Sequence, residues 1–217
     1  MRFGWLIGSL ALGGLWFGPA DARAETRRYA LDANASQVVV HVGKAGLLSI
    51  AGHEHEVVSG GMHGTVSADP ERIEQASVDV WFDAGALRVT GKGEPAADIP
   101  SVQETMLSSQ VLDAPRYPGI HFQSTAVTGA HRDGEVVLFD LHGKLSIHGV
   151  TREITLPVRV TFDADRLQAL GSTKLRQTDF GIKPISKAGV VKVKDELEVT
   201  WRLVARSRQG SAAGAAK

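Results

Sequence analysis

The chain has 217 residues, with 24 basic and 24 acidic side chains and no cysteine. A formal charge of zero excludes the basic excess of a nucleic-acid protein, so no nucleic-acid partner is expected. The lack of cysteine excludes disulfides, thiolate metal sites and cysteine nucleophiles.

The chain opens on "MRFGWLIGSLALGGLWFGPADARA". Arg2 precedes an uncharged apolar run from Phe3 to Phe17, shorter than the roughly 20 residues of a membrane span. Ala22-Arg23-Ala24 forms an A-x-A cleavage pattern. This predicts a signal peptide over residues 1–24, cut after Ala24, and an exported mature chain of near-neutral charge. No later apolar run is long enough to span a bilayer. Residues 25–206 suit a single domain with a substantial core. The small, polar stretch "SRQGSAAGAAK", residues 207–217, reads as a disordered tail.

Period-two alternation dominates the domain, the mark of half-buried strands. Val38, Val40 and Val42 alternate with Val39 and His41. A weaker run covers Gly64–Ala68, and Ala76, Val78, Val80 and Phe82 alternate with Ser77, Asp79 and Trp81. "GKGEPAADIP" reads as a polar loop. In "PSVQETMLSSQVL", Ser101-x-x-Glu104 has the pattern of a capping box, and Val102/Met106 and Leu107/Val111 are four apart, which predicts a short amphipathic helix. "DAPRYPG" ends it, since proline cannot continue a helix. A strand around Ile120–Val127, containing Phe122, is joined through the tight-turn pair Asp133-Gly134 to a strand over 136–147. There Val137, Phe139, Leu141, Leu145 and Ile147 share one face, while Asp140, His142, Lys144 and Ser146 lie on the other. "HGVT", residues 148–151, is short enough for a hairpin. Beyond it Ile154, Leu156, Val158, Val160 and Phe162 alternate with polar residues, and Pro157 demands an edge or a bulge. A weaker run spans Leu167 to Gln177, and Leu197, Val199, Trp201 and Leu203 alternate with Glu198, Thr200 and Arg202.

About eight strands with one apolar face suit a closed barrel or a two-sheet sandwich. A small barrel either packs its interior solid or holds one apolar ligand, and alternation alone cannot separate the two.

Hydrolytic chemistry finds no pattern: G-x-S-x-G is absent, His148 sits in a turn signal, and His142 falls on the solvent face. "GHEHEVV", residues 52–58, raises a metal site instead. On a strand, His53 and His55 would point the same way, with His41 and His63 the nearest candidates for a third ligand. A metal-binding or redox-related barrel using His53 and His55 is therefore the alternative reading. A polar rim or hydrogen-bonded turn is the plainer account of the same stretch, and no metal or other cofactor is assigned.

The ordered series of segments resembles the YceI-like family of periplasmic polyisoprenoid-binding proteins. "YALDANASQVVVHV" (29–42), "MLSSQVLDAPRYPGIHFQST" (106–125), "LHGKLSIHGVTREITLPV" (141–158), "RQTDFGIKP" (176–184) and "VKVKDELEV" (191–199) carry the likeness. The resemblance implies an all-β fold, an eight-stranded antiparallel lipocalin-like barrel with a short helix at one end. It implies a non-enzymatic, periplasmic protein that binds, sequesters or transports an isoprenoid or other long-chain amphiphile, with a homodimer possible. The ligand-lining residues would then be Val38, Val40, Val78, Val80, Phe82, Ile120, Phe122, Phe139, Leu141, Leu145, Ile154, Leu156, Val158, Val199 and Trp201. Arg176 and Lys183 are the candidates for a polar or phosphorylated head group. Asp179 reads as a turn or hydrogen-bond anchor before Gly181. An apolar residue is more usual where His53 stands.

Overall fold

The computed structural model describes residues 26–45, 54–187 and 191–207. The predicted signal peptide, residues 208–217 of the predicted tail and His53 lie outside the described residues; Ser207, expected to begin the tail, instead ends a strand and pairs with Tyr29.

The described strands are β1 (Arg27–Leu31), β2 (Gln37–Ala45), β3 (His55–Val58), β4 (His63–Ala68), β5 (Ser77–Asp83), β6 (Arg88–Val89), β7 (Gly119–Asp133), β8 (Val136–Ile147), β9 (Val150–Asp163), β10 (Arg166–Arg176), β11 (Ser186–Lys187) and β12 (Val191–Ser207). Every pairing is antiparallel, and β12 returns to pair with β1, which closes the sheet into an eight-stranded barrel.

Three walls of the barrel are kinked strands. β1 and β2 follow one another along the same edge of β12. β3 and β4 pair with β2 and β1 in turn, and β6 and β5 pair with β3 and β4. At the kink the ladder is broken, and serine hydroxyls take over the freed backbone groups. Ser36 Oγ accepts from the Val204 amide at 2.9 Å, and Ser59 Oγ accepts from the Val38 amide at 3.3 Å. An inventory of apolar alternation finds the long halves and misses β1, β3 and β6, which are too short to alternate.

The remaining walls are long hairpins. β7 and β8 turn through Gly134, whose φ of 61° suits the tight connection. The β8–β9 turn is tighter than the expected four residues, since Ile147 pairs with Val150 and only His148 and Gly149 lie between, at φ 52° and 73°. Pro157 sits where the β9–β10 ladder stops: pairing runs from Arg166↔Asp163 to Gly171↔Val158 and no further. The β8 side of β9 continues uninterrupted. The proline therefore has an edge on one side, as its missing N–H requires, and β10 pulls away from β9 toward one end of the barrel.

Helix α1 (Ile99–Leu107) begins earlier than its sequence pattern predicts, with Pro100 in its first turn. The expected capping box does not form. Asp98 is the N-cap without a side-chain bond, and Ser101 Oγ donates to the Asp98 carbonyl at 2.9 Å. A proline in the first turn needs no N–H partner, so the start moves ahead of the serine. The helix is held by Gln103, whose amide behaves as a strand neighbour for the open edge of β6: Oε1 accepts from the Val89 amide at 2.8 Å and Nε2 donates to the Leu87 carbonyl at 3.0 Å.

Candidate functional site

The inward faces of the strands bound a hollow. One chamber of about 230 Å³ fills the barrel interior and is lined by apolar side chains apart from Ser59 and Thr173. Val38, Val40, Val78, Val80, Phe82, Ile120, Phe122, Phe139, Leu141, Leu145, Ile154, Leu156, Val158, Val199 and Trp201 all border it. Val80 and Phe139 are buried, whereas Val40, Ile120 and Trp201 are only partly so. Inward residues keep accessible surface because they face a void. The interior is thus not the solid core that alternation also permitted.

A second chamber, of about 450 Å³, lies at the end where β10 leaves β9. Its walls come from β2, β3, β6, β12, helix α1 and the 3-10 turn Gln177–Phe180. This volume falls within the range of about 300–1,000 Å³ usual for ligand sites. Val40, Leu87, Ile120, Ile147, Leu175 and Val199 belong to both chambers and form the neck between them. Exposed Asp98, Ser101 and Arg176 stand on the border of the second chamber, so it is the mouth.

The mouth contains the charged groups that the barrel interior lacks. Arg176 lies on its rim, in register with Glu196 of β12. Lys183 is exposed and borders neither chamber. The rim turn is anchored by Asp195, which accepts from Thr178 Oγ1 at 2.7 Å and the Thr178 amide at 2.9 Å. These bonds hold the Asp195 carboxyl below its ordinary range. Gln177 Nε2 donates to the Lys194 carbonyl at 2.8 Å. Asp179, expected to be a turn or hydrogen-bond anchor, stands exposed within the turn, whose end is made by Gly181 at φ 73°. The turn role thus holds for Asp179, while the carboxylate that takes the hydrogen bonds is Asp195, from a distant strand.

His55 points into the mouth, and its Nδ1 lies 2.8 Å from Glu94 Oε1. The Glu94 side chain is 1% exposed. His41 and Glu56, cross-strand partners on β2 and β3, alternate with the cavity-lining Val40, Val42, His55 and Val57 and so belong to the outer face. There His41 Nδ1 is 3.7 Å from Glu56, which also meets Lys92 at 3.2 Å. His63 pairs with Trp81 on the β4–β5 wall. The candidate third ligands are therefore on other faces from His55, and no group of three or more metal-ligating side chains gathers among the described residues. His142 bridges Thr128 and Thr155 on the outer wall at 2.8 and 2.9 Å. His148, in its turn, meets Tyr117 edge-on.

Sequence reasoning missed the mouth chamber and Glu94. A glutamate in a Gly- and Pro-flanked polar loop carries no local signal of burial; only the folding of that loop against β3 buries it.

The model of the YceI-like domain matches residues 29–205. No curated protein matches the sequence. Among solved structures, Burkholderia cenocepacia BcnA is similar at 20% identity and a TM-score of 0.63, over 80% of this chain and 98% of that one. A polyisoprenoid binding domain from Saccharophagus degradans, implicated in plant cell wall breakdown, is similar at 15% identity and a TM-score of 0.61, over 84% and 99%. A Campylobacter jejuni YCEI protein aligns at 16% identity and a TM-score of 0.54, over 69% and 83%. At these identities the structural likeness concerns the fold.

Proposed function

The chain belongs to the YceI-like domain family, and on that premise we propose that it holds an isoprenoid or similar long-chain amphiphile inside its barrel. The single observation that carries this reading is the hollow, a mouth chamber leading through an apolar neck into an apolar interior. An alkyl chain leaving water for such a lumen gains about 0.8 kcal/mol per methylene. About ten methylenes therefore offer several kcal/mol even after the cost of ordering the chain. The described relative that is a polyisoprenoid binding domain supports the same reading. Val38, Val80, Phe122, Leu145, Val158 and Trp201, with the other lining side chains, contact the chain. A wall of hydrocarbon polarises no bond, so the role is binding, sequestration or transport rather than catalysis.

In this reading the protein is exported to the periplasm, with cleavage after Ala24. No helix among the described residues is long and apolar enough to cross a membrane. The binding unit is the single barrel, whether free or paired in a homodimer.

Native mass spectrometry of the purified protein, before and after incubation with a polyprenyl alcohol, tests the binding. A stoichiometric adduct is expected, retained at low collision energy. Recovery of empty protein that takes up none of the polyprenol overturns the reading. N-terminal sequencing of the secreted form tests export, with Glu25 expected as the first residue.

A further inference from the structure

Among the described residues, the mouth holds a carboxylate that no hydrogen-bond donor satisfies. The Glu94 side chain is almost wholly buried, and neither carboxylate oxygen has a hydrogen-bond partner among the described residues. His55 Nδ1 is within ion-pair distance of Oε1, yet it is not aligned as a hydrogen bond, and Oε2 has no such neighbour. Buried acceptors without donors are rare because each loses its water for nothing. Both residues border the mouth chamber, whose apolar walls include Val57, Val89, Val102 and Met106. A chain threaded through the neck leaves its polar end in this chamber.

We propose that the His55–Glu94 pair is a head-group site, selecting amphiphiles whose polar end offers a hydroxyl or ammonium hydrogen to a carboxylate and rejecting phosphorylated ends. The inference rests on the lipid-holding reading of the barrel. A hydroxyl or ammonium donating to Glu94 Oε2 supplies the missing bond. A phosphate there brings a second anion beside a buried carboxylate, where little water screens the repulsion. The cations at the same chamber do not reverse this. Arg176 lies opposite Glu196 in the β10–β12 ladder, and its charge acts on Asp195 and Glu196. Lys44 is itself engaged. Asp98 adds a further negative charge to the rim. Head-group choice thus passes from the rim cations expected from sequence to a carboxylate deeper in the mouth.

The test uses three probes with one chain: dodecan-1-ol, dodecylamine and dodecyl phosphate, each below its aggregation limit. Each displaces a fluorescent fatty probe from the full-length protein. The alcohol and the amine are expected to bind roughly tenfold or more tightly than the phosphate, the size of one charge-assisted hydrogen bond. In Glu94→Gln the alcohol is retained, the amine weakens by roughly tenfold, and the phosphate gains. Equal affinities for all three probes in the wild type, the outcome of a mere latch between the loop and β3, overturn the head-group site alone. So does tighter binding of the phosphate, or a Glu94→Gln variant with unchanged ratios. If none of the probes binds, the lipid-holding reading falls and this site falls with it. The wild-type ranking decides by itself should the variant fail to fold.

Discussion

Asp69 is a buried acid just after β4, 2% exposed, accepting from the Glu71 amide at 2.9 Å and from Arg72 Nε at 2.8 Å. The Glu71 amide first, and Arg72 second, hold its carboxyl below the ordinary value of 3.8. A depressed folded pKa contributes stability that is complete above the unfolded value and drains away as pH falls through the folded one. Wild type should therefore lose stability below about pH 4, and Asp69→Asn should lose less over the same interval. Urea midpoints at pH 7 and pH 3 for both proteins check this; equal acid losses would remove Asp69 from the account. Glycines at turns carry a second residue-scale contrast. Gly134 and Gly149 both have positive φ, but a Cβ at Gly134 would meet nothing, whereas one at Gly149 would press on the Tyr117 ring at 2.5 Å. Gly134→Ala should cost about 1 kcal/mol from the backbone alone. Gly149→Ala should cost more, about 2 kcal/mol, by adding a packing clash. Denaturant melts of the pair read the difference.

At the scale of elements, the mouth depends on a helix being tied to a two-residue strand. Gln103 makes that tie with both ends of its amide, to Val89 and Leu87. Gln103→Ala leaves an amide and a carbonyl of the β6 segment without their partners, at a cost of about 1–3 kcal/mol. The expected signature is local: faster hydrogen exchange at the Val89 amide, with the long β7–β8 and β8–β9 ladders unchanged. Uniformly faster exchange would mean that the tie supports the whole barrel. The hairpins were legible because each alternates for ten residues or more and turns on a glycine with positive φ. The helix was legible as a helix, but its start was not, because Pro100 overrode the Ser101–Glu104 pattern. β1, β3 and β6 show no alternation because they are half-strands set off from longer partners by kinks, the one after β1 bridged by Ser36 and the one after β3 by Ser59; β1 and β3 were legible only through the family likeness and the His-x-His spacing, and β6 not at all.

For the whole molecule, the neck is the feature on which the proposed long-chain binding turns. Ile120 stands in it between the two chambers. Ile120→Trp should narrow the passage, at an overpacking cost of about 1–3 kcal/mol. A long polyprenol should then bind weakly while octan-1-ol, short enough for one chamber, binds nearly as before. Calorimetry with both ligands checks this, and equal losses would mean the chambers do not act as one channel.

The sequence by itself determined the class of fold and which side chains face inward, because a period of two leaves each strand residue only two directions. It also carried the family likeness, since the ordered segments survive without any single decisive motif. Tertiary structure alone decided that the inward faces enclose a void, because packing density depends on how far apart the walls stand, which no strand encodes locally. It alone set His55 apart from His41, on opposite faces of paired strands, and brought Glu94 from a polar loop into the mouth. Burial of that carboxylate is a property of what folds over it, and the residues that do so lie elsewhere in the chain.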